Sequence, residues 1–164
     1  MYPFVVTFTL FCLLSLTSFA QPSADSLHEQ KMNRIFMEDV MPYLQTCDTT
    51  PDWTTLGKRL INRYGDIGEE VHLLSQTIYS MQQDDWANFS VAIIPYAKKY
   101  GLSIPSKQRY AFSDYMRYHA RMLYQSGHKE EGIRWQILAL PLARSTDHDG
   151  MLETVERMKK GELE

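Results

Sequence analysis

The chain has 164 residues, a length that admits one domain and excludes a barrel enzyme or a two-domain dehydrogenase. Hydrophobic residues at 44%, aromatics at 12% and charged residues at 23% give enough apolar surface for a packed core and exclude a wholly disordered chain. Lys and Arg number 17 against 20 Asp and Glu, and the net charge of -3 has the wrong sign for affinity built on neutralising phosphates, so no nucleic-acid partner is expected.

In chain order, Met1 to Ala20 carries no charged side chain, and Phe4 to Leu16 is almost wholly apolar before Ser18-Phe19-Ala20. This run has the length of a secretory signal core, with small residues at Ser18 and Ala20 where a signal peptidase reads them, so residues 1–20 are expected to be removed. The competing reading is an uncleaved anchor, since about 20 residues just span a bilayer. Thr7, Thr9, Ser15, Thr17 and Ser18 dilute the stretch and favour cleavage, after which no membrane association is expected. Cys12 leaves with the signal and Cys47 becomes the only thiol, so the mature chain forms no intramolecular disulfide and holds no C-x-x-C pair. Cys47 stands beside Asp48 with no nearby cation and reads as a half-buried thiol at a helix end. Residues 21–25 are polar, contain Pro22 and read as a disordered lead-in to a domain over 26–164.

From Ser26 onward the apolar spacing is helical, and no segment alternates with period two for long enough to suggest a sheet. Seven helices are predicted, over 26–46, 52–64, 67–82, 85–100, 105–125, 128–144 and 149–160, punctuated by Gly65, Gly101, Gly127 and Gly150. The strongest stripe is Trp86, Phe89, Ile93, Tyr96 and Tyr100, capped by Asp84 or Asp85 and stopped at Gly101. Val71, Leu74, Ile78 and Met81 step the same way after an acidic start at Glu69 and Glu70. The turn from Gln82 to Asp85 is short enough that these two helices must form an antiparallel hairpin. Pro42, Pro95 and Pro141 each stand between apolar neighbours late in a predicted helix, a weak and irregular internal repeat.

The run from Arg117 to Ile133, continued by Ala139-Leu140, resembles the middle of a tetratricopeptide-type helical hairpin. Leu123, Gly127, Gly132 and Ala139 take the roles of apolar residue, turn glycine, small contact residue and closing alanine. His119 and Gln136 depart from the pattern, which makes the likeness that of a degenerate array. A second likeness, carried by Trp53-Thr54-Thr55-Leu56, Arg63 to Glu70, Asp84 to Phe89, Tyr100-Gly101 and Gly127 to Glu131, is to the C-terminal helical region of bacterial envelope thioredoxin-family proteins. What these resemblances imply is an all-α, tetratricopeptide-like array of antiparallel helical hairpins in the bacterial periplasm or cell envelope. Redox activity is not implied, because the thioredoxin domain has no counterpart here.

No catalytic, cofactor or metal site is expected. The five histidines include no i, i+4 pair and no H-E-x-x-H. Asp147-His148-Asp149-Gly150 lacks the remaining ligand spacing of a calcium loop and reads as a helix cap at Asp149, followed by a Met151, Leu152, Val155, Met158 stripe. Glu69 with Glu70, and Glu130 with Glu131, point about 100° apart on a helix and complement its dipole without forming an acid/base couple. Tyr110, Tyr115, Tyr118 and Tyr124 cannot share one stripe, so some must face outward. Tyrosine interleaved with arginine suits a contact surface, which gives the partner-binding set Arg109, Tyr110, Arg117, Tyr118 and Arg121. The expected function is an exported, non-catalytic module that binds a protein or peptide. The first alternative is a small enzyme or an accessory subunit of an envelope thiol-redox system acting with a separate thioredoxin-like partner, and the second is a purely structural envelope protein.

Overall fold

A computed structural model of the chain describes residues 24–47, 50–101 and 103–163. The expected signal over 1–20 lies outside the described residues, as do 21–23 of the expected lead-in; residues 24 and 25 already belong to the first helix. Among the described residues the chain is all-helical, and no helix is long and apolar enough to cross a membrane. The elements are α1 (Ala24–Ile35), α2 (Met41–Gln45), α3 (Trp53–Tyr64), α4 (Asp66–Gln82), α5 (Trp86–Tyr100), α6 (Ser106–Gln125), α7 (Lys129–Ala139) and α8 (His148–Lys160). A π-helical turn, Phe36–Val40, joins α1 to α2 in one continuous rod, so the described residues form seven helices.

The helix ends follow local chemistry. Asp52 caps α3, accepting from the Thr55 amide at 3.0 Å, and Asp85 caps α5, accepting from the Asn88 amide at 3.1 Å. At the end of α6, Gly127 takes φ 97° while its amide bonds the Tyr124 carbonyl and the His128 amide bonds the Leu123 carbonyl. Gly161 closes α8 in the same two-bond pattern. The end of α4 repeats it with Asp84, at φ 53°, in the left-handed position where glycine is usual.

Three consecutive pairs are antiparallel, as their cross-contacts show. Between α4 and α5, Lys99 reaches Glu69 at 2.6 Å while Gln76 donates to the Asn88 carbonyl at 3.2 Å. Between α6 and α7, Gly132 lies against Ala120 and Tyr124, and the Ser113 hydroxyl donates to the Ala139 carbonyl at 3.0 Å. Between α3 and α4, Gly68 lies against Leu60 and Tyr64, and Gly57 against the His72 ring. A methyl at Gly68 would collide with the Leu60 carbonyl, so this position sets how closely α3 and α4 approach.

The core forms two clusters that meet at α4. One gathers Ile35, Phe36, Val40, Trp53, Leu56 and Leu60 with Val71 of α4. The other joins Leu73, Leu74 and Ile78 of α4 to residues of α5 through α8, among them Phe89, Ile93, Phe112 and Met151. α4 is therefore buried nearly all round, and its small polar residues Ser75, Thr77 and Ser80 are buried with it.

Several details correct the sequence expectations. The predicted helix over 128–144 ends as an α-helix at Ala139, because Pro141 falls in a 3-10 turn, Leu140–Leu142. A second 3-10 turn, Ser145–Asp147, leads directly into α8, so the residue at its cap is Asp147, with no side-chain cap bond, and Asp149 lies in the first turn. In the α8 stripe Met151, Val155 and Met158 are buried whereas Leu152 faces solvent. Glu70 is buried and stands 2.8 Å from His28 Nε2, an interhelical pair rather than a free charge at the helix start.

Candidate functional site

α6 presents an inner face, two flanks and an outer face, and the five predicted contact residues are divided between one flank and the outer face. Its inner side carries Phe112, Met116, Ala120 and Tyr124, all buried, with the Tyr124 hydroxyl donating to the Met158 carbonyl at 2.7 Å. Steps of three and four place Tyr110, Asp114 and Arg117 along one flank, with Arg121 a turn beyond them at its outer edge, and Tyr115 with His119 along the other. Tyr118 lies between the flanks and points outward, 55% exposed, with Met122 beside it at 50% and Arg121 also exposed.

The first flank meets the segment that follows α7. Arg144 places its guanidinium 4.9 Å from the Tyr110 ring centroid, and Arg109 contacts the same ring at 5.5 Å. Arg117 Nη1 stands 3.3 Å from Asp114 and 4.0 Å from Asp147, and Arg144 Nη1 is 3.7 Å from the same Asp147 oxygen. The Nε groups of Arg109 and Arg117 are enclosed yet have no hydrogen-bond acceptor. The Arg109 guanidinium makes no ion pair or hydrogen bond among the described residues, although the side chain is half-buried. The structure thus brings Arg109, Tyr110 and Arg117 together with Arg144 and Asp147, and sets Tyr118 and Arg121 apart on the exterior. Sequence reasoning missed Arg144 and Asp147 because they enter from a separate segment. The only signal was the short charged stretch between Pro141 and Gly150.

On the opposite flank the His119 ring stacks on Trp86 at 4.4 Å with 12° between planes, and Tyr115 packs edge-on against His119 at 4.5 Å. Asp84 accepts from the Tyr115 hydroxyl at 2.9 Å, and His119 Nε2 stands 3.3 Å from the same carboxylate oxygen. Burial and the Asp84 carboxylate push the Tyr115 hydroxyl pKa well above its ordinary value, so it stays a donor. This cluster fastens the α4–α5 turn to α6, which accounts for an aspartate in a left-handed position.

A groove of about 450 Å³ lies where the start of α3 meets the α4–α5 hairpin, lined by Pro51, Trp53, His72, Gln76, Val91 and Pro95. Burial holds the His72 ring below its ordinary pKa, while a hydrogen bond with the Trp53 main chain acts against that shift. Cys47 is half-buried at the end of α2, its thiol 3.3 Å from the Tyr43 carbonyl. Among the described residues no three His, Cys, Asp or Glu side chains converge as a metal ligand set. No protein-family profile, curated protein or solved structure matches the chain.

Proposed function

We propose that the protein is an exported, non-catalytic binding module, a tetratricopeptide-like array of helical hairpins that engages a protein or peptide through the outer surface of α6. The observation that carries this reading is the exterior of α6, where Tyr118, Arg121 and Met122 stand exposed side by side. An aromatic ring, a guanidinium and a flexible thioether combine broad contact area with directional donors, the composition enriched in protein interfaces. The antiparallel α4–α5 and α6–α7 pairs support the hairpin-array reading, with Gly132 and Ala139 at the close contact as the family likeness implies.

The test uses exterior positions, because Arg117→Glu would set a third carboxylate beside Asp114 and Asp147 and disturb the fold. Partners captured from the native envelope by wild type are compared with those captured by Tyr118→Ala, Arg121→Glu, after the variant's helical spectrum is shown to be unchanged. Loss of a specific partner is the expected result. Equal recovery by both proteins removes this face from function.

A further inference from the structure

We propose that Arg109 and Arg144, which lie against Tyr110, and Arg117, joined to Arg144 through Asp147, receive an extended acidic peptide segment whose carboxylates alternate along the strand, and that Asp147 is an internal carboxylate which this segment displaces. The inference rests on the reading of α6 as a binding surface and names the chemistry of its partner.

The first argument is unmet bonding. A guanidinium carries five N–H donors, and enclosing one without an acceptor is unfavourable. The Arg109 guanidinium has no acceptor among the described residues, so its terminal Nη groups can take one from outside; the Nε atoms of Arg109 and Arg117 are enclosed and have no partner inside the fold. Asp147 serves two arginines at 3.7 and 4.0 Å, and Asp114 approaches Arg117 at 3.3 Å. A closed charge-assisted bond is about 2.7 to 2.9 Å long, so both carboxylates leave bonding capacity unused. Their presence also shows that planar carboxylates suit the position.

The second argument is spacing. Arg109 and Arg117 are eight residues apart on one helix, about 12 Å along its axis at 1.5 Å per residue and about 80° apart around it, an offset that two long side chains can take up. In an extended strand, alternate side chains point the same way about 7 Å apart, so carboxylates at i and i+4 span about the same distance. Arg144 touches Tyr110 at one end and Asp147 near the other, which places it opposite the carboxylate at i+2.

The third argument selects the occupant. The whole chain carries a net charge of -3, which opposes adsorption to a broad anionic surface such as a membrane or a nucleic acid. A short peptide samples only the local field, since charges beyond a screening length of about 8 Å contribute little.

The probe is acetyl-Glu-Ser-Glu-Ser-Glu-amide, with its Gln-Ser-Gln-Ser-Gln counterpart, titrated calorimetrically into the purified chain. The Glu peptide should bind and the Gln peptide should not. Arg109→Gln with Arg144→Gln should weaken binding by about tenfold or more, whereas Lys58→Gln with Lys98→Gln, an equal charge change elsewhere, should leave it unaltered. Asp147→Asn, which keeps the side-chain shape, should tighten binding. Equal effects of the arginine and lysine pairs, or equal competition by inorganic phosphate or anionic vesicles, would overturn the proposal. So would absence of Glu-peptide binding while partner capture still depends on Tyr118 and Arg121, an outcome that leaves the binding-module reading intact.

Discussion

A methyl group added at Gly132 would stand 2.6 Å from the Ala120 carbonyl oxygen and 2.9 Å from Tyr124, whereas one added at Gly150 meets nothing within 4 Å. Both glycines lie within helices, where alanine is favoured by about 1 kcal/mol. Gly132→Ala should nonetheless destabilise the fold by about 1 to 3 kcal/mol, because the two helix backbones must part to admit it. Gly150→Ala should stabilise by about 0.5 to 1 kcal/mol, and urea unfolding midpoints of the two variants check the opposite signs. His72 supports a second prediction at this scale. Burial lowers its pKa in the folded state, so below the ordinary 6.5 the unfolded chain takes up a proton that the folded chain refuses. The stability held by neutral His72 is complete above 6.5 and drains as pH falls through the lowered folded value. The fall in urea midpoint between pH 7.5 and 5.5 should be smaller in His72→Gln than in wild type; equal falls would show that the ring titrates freely in the fold. Gly127 and Gly132 were legible in the sequence because their demands are local, a left-handed turn and a small side chain at fixed offset. The pairing of His28 with Glu70 was not, because 42 residues separate the two groups and nothing in either segment announces the other.

At the scale of elements, the three prolines resolve into three different solutions of one problem. Pro42 follows a π-helical turn in which the Met41 amide bonds the Phe36 carbonyl, a widening at the point where the proline ring must clear the preceding turn. Pro95 sits within α5 on its exposed side, beside Val91, where water can reach the carbonyl left without a donor. Pro141 ends α7 and starts a 3-10 turn. One sequence pattern thus maps to three backbone outcomes, a π-helical turn, a helix-interior proline and a 3-10 turn, although all three prolines are exposed. Helix boundaries were read closely elsewhere, since caps such as Asp52 and Asp85 and closing glycines act within one turn. The packing stripe of α5 yields the element-scale prediction. Phe89 is fully buried, with Tyr115 at 4.7 Å and Phe112 at 6.3 Å, while Val91 two residues away is 69% exposed. Phe89→Ala should cost about 3 to 5 kcal/mol and Val91→Ala no more than about 0.5. Similar losses for the two, measured by denaturant unfolding, would mean that the face assigned to the core is wrong.

Across the whole molecule, the all-helical class was legible because a period of 3.6 runs through nearly every segment, while the candidate site was legible only on α6. Tyrosine interleaved with arginine marks α6 as the candidate, but which of those side chains turn inward depends on where the segment after α7 crosses. That crossing is a tertiary fact with no local signature. The position of α4 has a further consequence for how the molecule comes apart. Its Val71 side belongs to one core cluster and its Leu73, Leu74 and Ile78 side to the other. Neither half can detach without stripping this helix of half its apolar cover, and Met32 of α1 packs against both clusters, so the two are bound into one cooperative unit. The backbone amides in the middle of α4 can then meet solvent only when the entire domain opens, which makes this segment the slowest to take up deuterium and ties its exchange rate to the global free energy of unfolding.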